Sequence, residues 1–376
     1  MSDTVQIEQI TEPHKGDFLE LPYRLNAGDP NWVPPLRMER RMLLKPGGSP
    51  YLRRAETAFW LARRNGRAVG RISAQIDPLS LKTMPGVGQF GFIAAEDDPA
   101  VFRALFDVAG NWLKSRGITQ MVGPFDFSVN EECGVLVEGF DTPPMMMMPH
   151  NPRYVGPRIE EAGLVKAQDL FAYAFDYSGA FNPRMQRLIK RAFSSGVTVR
   201  PMRWKNYAEE VRTLVSVFND SWCDNWGFVP ITDDEIEQLA EQMKPLLHEE
   251  WVQFAELNGE TVGFIVCLPN LNEAIRDING SLLPTGWAKL LWRLKVSGVF
   301  TARVPLMGVR RKTAGNMLAG MIPFVLIGAL EPEARRRKLK VCEVSWMLES
   351  NPAMCAIGEA ICGKPYKTMR VYEMVL

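Results

Sequence analysis

The same succession of turns, strands and helices runs through this chain twice, and the repeat limits what it can fold into more than any other feature. The first copy opens with strands Ala58–Arg63 and Ala68–Ile76 around Asn65-Gly66, a strong hairpin signal because both turn positions favour positive φ. A strand Gln89–Ala94 follows, then a helix started by Asp97-Asp98-Pro99 and stopped at Gly117, with Val101, Leu105, Phe106, Val108, Ala109 and Trp112 on one face. Strand Thr119–Val122, a loop-rich stretch, a helix closing at Gly163 and strand Gln168–Tyr177 complete it.

The second copy runs from strand Val197–Pro201 through helix Tyr207–Ser221 and a helix whose Thr232 and Glu235 form a capping box. Its hairpin turns at Asn258-Gly259, and strand Val304–Val309 leads to a long apolar helix. Strand Lys340–Leu348, helix Pro352–Ile361 and strand Met369–Val375 close it. Asn151 to Gly163 and Asn351 to Gly363 have the same spacing of twelve residues. The basic helix Asn182–Gly196 connects the copies, which sets a boundary near residue 180. The pattern predicts an α/β (α+β) fold on mixed sheets in two tandem domains, 1–180 and 181–376, a comfortable division of 376 residues.

Composition removes several classes. A formal net charge of +1 gives no bulk attraction for nucleic acid. Six cysteines fall singly, without CxxC pairs, so neither a metal site nor a disulfide framework is expected. The polar, acidic N-terminus lacks an apolar signal region, and the longest apolar run, Ala319–Leu330, is too short to span a bilayer. A cytoplasmic protein is expected. Nineteen methionines, including the run Met145–Met148, suit either core filling or an adaptable long-chain pocket.

With these elements in order, the chain resembles the GNAT superfamily of acyl-CoA N-acyltransferases. The family's pyrophosphate loop reads Q/R-x-x-G-x-G/A; here Arg310-Arg311-Lys312-Thr313-Ala314-Gly315-Asn316-Met317 follows strand Val304–Val309, with Lys in the first slot and Met in the last. Backbone N–H groups at a helix start, with added basic charge, suit a pyrophosphate. The resemblance thus implies acyl-CoA as cosubstrate, held by Val309, Arg310, Arg311, Lys312, Thr313, Ala314, Gly315 and Asn316, with Asn351 on the pantetheine arm. The family's thiolate-protonating tyrosine would fall on Gly358, which leaves Tyr366 and Tyr372 as substitutes. In the first copy AAEDDPAVFR stands where phosphates would sit, and its carboxylates would repel them. The first domain is therefore expected to be a degenerate copy on the acceptor side.

Segments NWVPPL, GPFDFSVNEECGVLVEGFDTPP, MPHNPRY, NDSWCDNWGFVP, EVSWMLESN and YKTMRVYE extend the resemblance to a bacterial tandem-GNAT family that includes ceramide synthases. That implies acylation of the amine of a sphingoid base, 3-oxosphinganine or sphinganine, by direct transfer from the thioester. Such chemistry calls for a proton acceptor, a proton donor and an acceptor wall. Candidates are His150, Glu131, Glu132, Glu343 and Tyr366 for proton transfer, and Asp126, Asn151, Trp222, Trp226 and Phe228 for the substrate. An insertion at 269–303 places Trp287, Leu290, Leu291 and Leu294 at helical spacing among Lys289, Arg293 and Lys295, the pattern of an interfacial helix. It points to peripheral inner-membrane contact through 286–298 and a long-chain amine lipid as partner, against the alternative of a helix packed on its own domain. Two other functions fit tandem GNAT domains: a Fem-type aminoacyl-tRNA-dependent transferase, and a non-catalytic acyl-CoA or lipid binder.

Overall fold

The computed structural model describes residues 4–177, 179, 181–244, 247–313 and 320–376. Thirteen strands among them form one mixed sheet. They are β1 (Gln6–Ile10), β2 (Glu56–Arg64), β3 (Arg67–Ile76), β4 (Val87–Ala95), β5 (Gln120–Gly123), β6 (Val135–Glu138) and β7 (Val165–Asp176) in the first half. The second half supplies β8 (Thr198–Pro201), β9 (Val252–Leu257), β10 (Glu260–Pro269), β11 (Thr301–Val309), β12 (Val341–Leu348) and β13 (Lys367–Val375). Both Asn-Gly turns form as expected: Asn65 and Gly66 have φ of 51° and 78°, Asn258 and Gly259 52° and 81°. The Thr232–Glu235 capping box is also present in both directions. Strands β1 and β6 and the helices Gly16–Leu25, Arg37–Leu44 and Pro50–Arg54 carry weaker signals and were not anticipated.

The order β1-β2-β3-β4-β5-β13-β7-β12-β11-β10-β9-β8 shows that the halves exchange their closing strands. Strand β13 lies between β5 and β7, antiparallel to both, and β7 in turn pairs with β12. A cut near residue 180 divides the sequence repeat, yet each half's last strand completes the other's ladder. The exchange leaves no unpaired edge between the halves. Their separation would break the β5–β13 and β7–β12 ladders.

Helices Pro99–Lys114 and Val155–Glu161 bury Val101, Phe102, Leu105, Phe106, Ala109 and Ile159 on one face of the first half. The connecting helix Pro183–Phe193 and helix Ile322–Arg336 do the same for β9 to β12. The opposite face is covered in the first half by the N-terminal helices, through Phe18, Leu19 and Tyr51. In the second half helix Tyr207–Trp222 covers it through Leu214, Val215 and Phe218.

Candidate active site

Each half contains one pair of parallel strands that meet at one end only. In the first half β4 and β5 pair over Val87–Gln89 and Gln120–Val122; in the second β11 and β12 pair over Thr301–Val304 and Val341–Val344. The first opening is filled by the chain itself. Phe125 N–H donates to the Phe90 carbonyl (2.8 Å), and Phe92 N–H to the Asp126 carboxylate (3.1 Å). Gln75 donates to the carbonyls of Phe125 and Phe127 (2.9 and 3.1 Å). The approach is so close that a Cβ on Gly91 would lie 1.8 Å from the Phe125 oxygen.

The second opening is built differently. Strand alternation turns Ala302, Val304 and Cys342 into the second core and Arg303, Glu343 and Ser345 to the other face. Arg303 and Glu343 are register partners on β11 and β12, with 3.5 Å between guanidinium and carboxylate. Ser345 accepts from Arg303 Nε (2.8 Å) and donates its hydroxyl to Glu343 Oε1; the Tyr366 hydroxyl donates to Glu343 Oε2. A fully buried carboxylate is tolerable here because a cation and two O–H donors surround it. Burial, and then Glu343, push the Tyr366 phenol well above its ordinary range, so it stays protonated. Arg303, Glu343 and Ser345 are buried and Tyr366 is partly buried. Substrate would therefore meet Tyr366, with Glu343 behind it.

The methionine run borders this cluster from the first half. Met146 accepts from Arg303 Nη1 (3.0 Å) through its carbonyl and donates its N–H to Asn270 (3.0 Å); Pro144 accepts from Asn272 (3.1 Å). Ser345 Oγ lies 3.5 Å from Met148 Sδ. Trp222 donates its indole N–H to the Met307 carbonyl on β11 (3.1 Å) and meets the Trp346 ring at 5.9 Å. Trp226 faces Phe125 of the first half at 6.5 Å. Phe228 packs on Phe218 inside the helix-covered core.

The remaining proton-transfer candidates lie in two other places. The buried His150 side chain holds Asp29 through Nε2 (2.8 Å), and burial lowers its pKa despite that carboxylate. Asp126 and Glu132 share Arg40, while burial pushes the neighbouring Glu131 carboxyl up to about 7. Asn151 spends its amide on the Leu136 backbone; Asn351 caps helix Pro352–Cys362 by accepting from Met354 N–H (3.2 Å). Tyr372 is buried in the first core with its hydroxyl on Glu160 (3.1 Å). Gly358 has no room for a side chain, because a Cβ would lie 2.9 Å from the Tyr173 ring. Arg303, Ser345 and the buried Lys367, whose amine is held by the Gly139 and Thr142 carbonyls, were missed. An arginine or lysine in a strand signals nothing until its burial is known.

Beyond the outer end of β11, Thr213, Asp220, Glu260, Thr261, Arg310 and Lys312 line a hollow of about 410 Å³. Arg310 is spent on the Thr261 carbonyl and Ser216, Arg311 pairs with Asp224 (3.0 Å) and Lys312 with Glu260. Val309 ends β11 and Thr313 is buried beside them; Ala314, Gly315 and Asn316 lie outside the described residues.

The insertion packs against the first half. Leu290 joins Leu36 and Leu282 around Val33, Ile275 and Ile278. Trp287 and Leu291 point outward, 51% and 50% exposed, with Trp292 and Leu294 also exposed. A cleft of about 910 Å³ separates the insertion from segment 20–37, lined by Tyr23, Asp29, Trp32, Arg37, Arg276 and Arg293 among others. Among the described residues no helix is long and apolar enough to cross a membrane.

Comparison with known proteins follows the same lines. The bacterial ceramide synthase of Caulobacter vibrioides is 52% identical over 361 residues, covering 96% of this chain and 94% of that protein. Protein YghO of Escherichia coli is 45% identical over 361 residues, with 95% and 91% covered. Among solved structures, a tandem GNAT protein from the clavulanic acid biosynthesis pathway superposes with a TM-score of 0.54 at 13% identity, over 99% of this chain and 98% of that one. That likeness establishes the fold. No protein-family model matches the chain.

Proposed function

The chain belongs to the bacterial ceramide synthase family of GNAT-fold acyltransferases, and from that membership we propose that it acylates the amine of a sphingoid base by direct transfer from acyl-CoA. The observation that carries the direct step is the opening between β11 and β12, with the partly buried Tyr366 at its edge and its hydroxyl on buried Glu343. The amine nitrogen attacks the thioester carbonyl, the C–S bond breaks, and an amide and free CoA result. The proton lost by nitrogen balances the one gained by sulfur. Tyr366 gives a proton to the departing thiolate and regains one from the nitrogen, with Glu343 and Ser345 fixing its geometry. Trp222, Trp226 and Trp346 supply apolar walls for the chains, and the exposed Arg311 and Lys312 would exchange Asp224 and Glu260 for the CoA phosphates.

A long-chain amine resides in a membrane, and the insertion offers contact with one. Trp287, Leu291 and Leu294 share an outward helical stripe, and 286–298 carries Lys289, Arg293 and Lys295 without a carboxylate. Incubation of the purified protein with palmitoyl-CoA and sphinganine or 3-oxosphinganine, followed by free thiol and by mass spectrometry of the amide, tests the function. Thiol release must require the amine. Acyl-CoA binding without turnover on either base would replace the synthase by a binding protein.

A further inference from the structure

We propose that the membrane-docking surface is composite. The helix Arg37–Leu44 of the first half and the segment 286–297 of the second insert side by side into an anionic bilayer, one on each side of the cleft of about 910 Å³. This rests on the membrane contact proposed above for the insertion and adds a second, unassigned element from the other half of the chain.

Four observations converge on it. Met38 and Met42 are 56% and 61% exposed, and their spacing of four residues puts them on one helical face. Trp287 and Leu291 repeat that arrangement on the insertion helix. The two helices share one root: Leu36 packs with Leu282 and Leu290, and Arg37 N–H donates to the Gly280 carbonyl (2.9 Å). Finally, Arg37 at the start of one helix and Arg293 at the end of the other both line the cleft, so the apolar stripes flank a common opening.

Charge selects the occupant. Segment 37–45 carries Arg37, Arg40, Arg41 and Lys45 against Glu39, with Arg40 turned inward onto Asp126 and Glu132, and 286–298 carries three cations and no carboxylate. The acidic groups nearest the junction are already engaged. Glu20 holds Arg37, Asp277 holds Arg293 and Lys289, and Glu273 accepts from the Phe300 and Thr301 N–H groups. Arg41, Lys45 and Lys295 remain exposed beside methionine, leucine and tryptophan. Apolar side chains ringed by cations match the headgroup region of an anionic leaflet, where each exposed cation adds to the attraction.

Sedimentation with phosphatidylethanolamine vesicles, with and without phosphatidylglycerol, tests the surface on the full chain. Wild type should bind more strongly when phosphatidylglycerol is present. Met38→Glu with Met42→Glu should lower the partition coefficient roughly tenfold or more, because two buried side chains are lost at once. Trp287→Glu with Leu291→Glu should do the same, and circular dichroism should show both variants folded, since the sites are exposed. If the methionine pair binds like wild type while the tryptophan–leucine pair does not, the composite surface is wrong and the insertion acts alone. If wild type ignores both vesicle types, the membrane contact itself fails. Self-association lost in the same variants, without vesicle binding, would identify the surface as a protein interface and overturn the proposal. As a second readout, Met38→Glu/Met42→Glu should keep its thiol-release rate with a water-soluble short-chain amine and lose rate with a long-chain amine presented in vesicles.

Discussion

The Phe125 amide donates to the Phe90 carbonyl at 2.8 Å, and this bond closes the place in the first half that corresponds to the opening between β11 and β12 in the second. The loop that makes it is held by Gln75 and Asp126, so both sides of the opening are satisfied internally. In the second half β12 leaves β11 at Ser345, and side chains of Trp222, Trp346 and Tyr366 border the space. The duplicated fold is thus asymmetric at its two equivalent points.

One acyl-CoA per chain is the expected stoichiometry in calorimetry. Arg311→Gln with Lys312→Gln should raise its Kd about tenfold, and more at low salt, because two exposed cations leave the end of β11 proposed to face the CoA phosphates. Asp97→Asn, at the corresponding helix start of the first half, should leave the Kd within about twofold. Binding of two molecules per chain would contradict the closed first opening.

Tyr366 and Glu343 should separate activity from stability. Tyr366→Phe keeps the ring and removes only the hydroxyl, so kcat should fall about 10²- to 10⁴-fold with acyl-CoA affinity unchanged. Glu343→Gln removes the charge opposite the buried Arg303, and an unpaired buried cation costs about 3–5 kcal/mol. Its activity loss should therefore come with an earlier urea midpoint. Wild-type kcat in Tyr366→Phe would remove the hydroxyl from the mechanism.

The local signals in the sequence were sufficient for most of the architecture. Asn-Gly turns, the Thr232 cap and the apolar runs of β2, β3, β9 and β10 depend on neighbours within a few residues. The exchange of β7 and β13 does not, because which strand pairs with which is decided by contacts far apart in sequence. The candidate site was legible in part: Glu343 and Tyr366 meet, whereas His150 and Glu131 lie at two other points of the fold. Burial does not separate them, since His150 and Glu131 are enclosed as well; Glu343 is set apart by meeting Arg303 and Tyr366, partners distant from it in sequence.

Stability should respond to pH through Lys367. Burial, only partly offset by Glu343, Asp141 and Asp29, lowers its pKa to about 8, against about 10.4 when unfolded. Between those values the unfolded chain binds more protons, so this group makes folding more favourable as pH rises from about 8 to about 10. In Lys367→Met that contribution is absent. The difference in urea midpoint between wild type and variant should therefore move in favour of wild type over this interval; a constant difference would mean the amine is not destabilised in the fold.

Gly358 falls where the resemblance to the GNAT superfamily implies a tyrosine, and its surroundings leave no room for one. On helix Pro352–Cys362 it faces the Tyr173 ring of β7, and a Cβ would lie 2.9 Å from that ring and 3.0 Å from Met347 Sδ. Neither neighbour can withdraw freely, since Tyr173 is buried within the β7–β12 ladder. Gly358→Ala should thus cost about 1–3 kcal/mol, although alanine favours helix over glycine by about 1 kcal/mol. Gly358→Tyr should prevent folding instead of restoring an acid, because the ring would have to displace Tyr173 and Met347. If Gly358→Ala raises the urea midpoint, helix propensity outweighs the clash and the Tyr173 contact is looser than the geometry indicates.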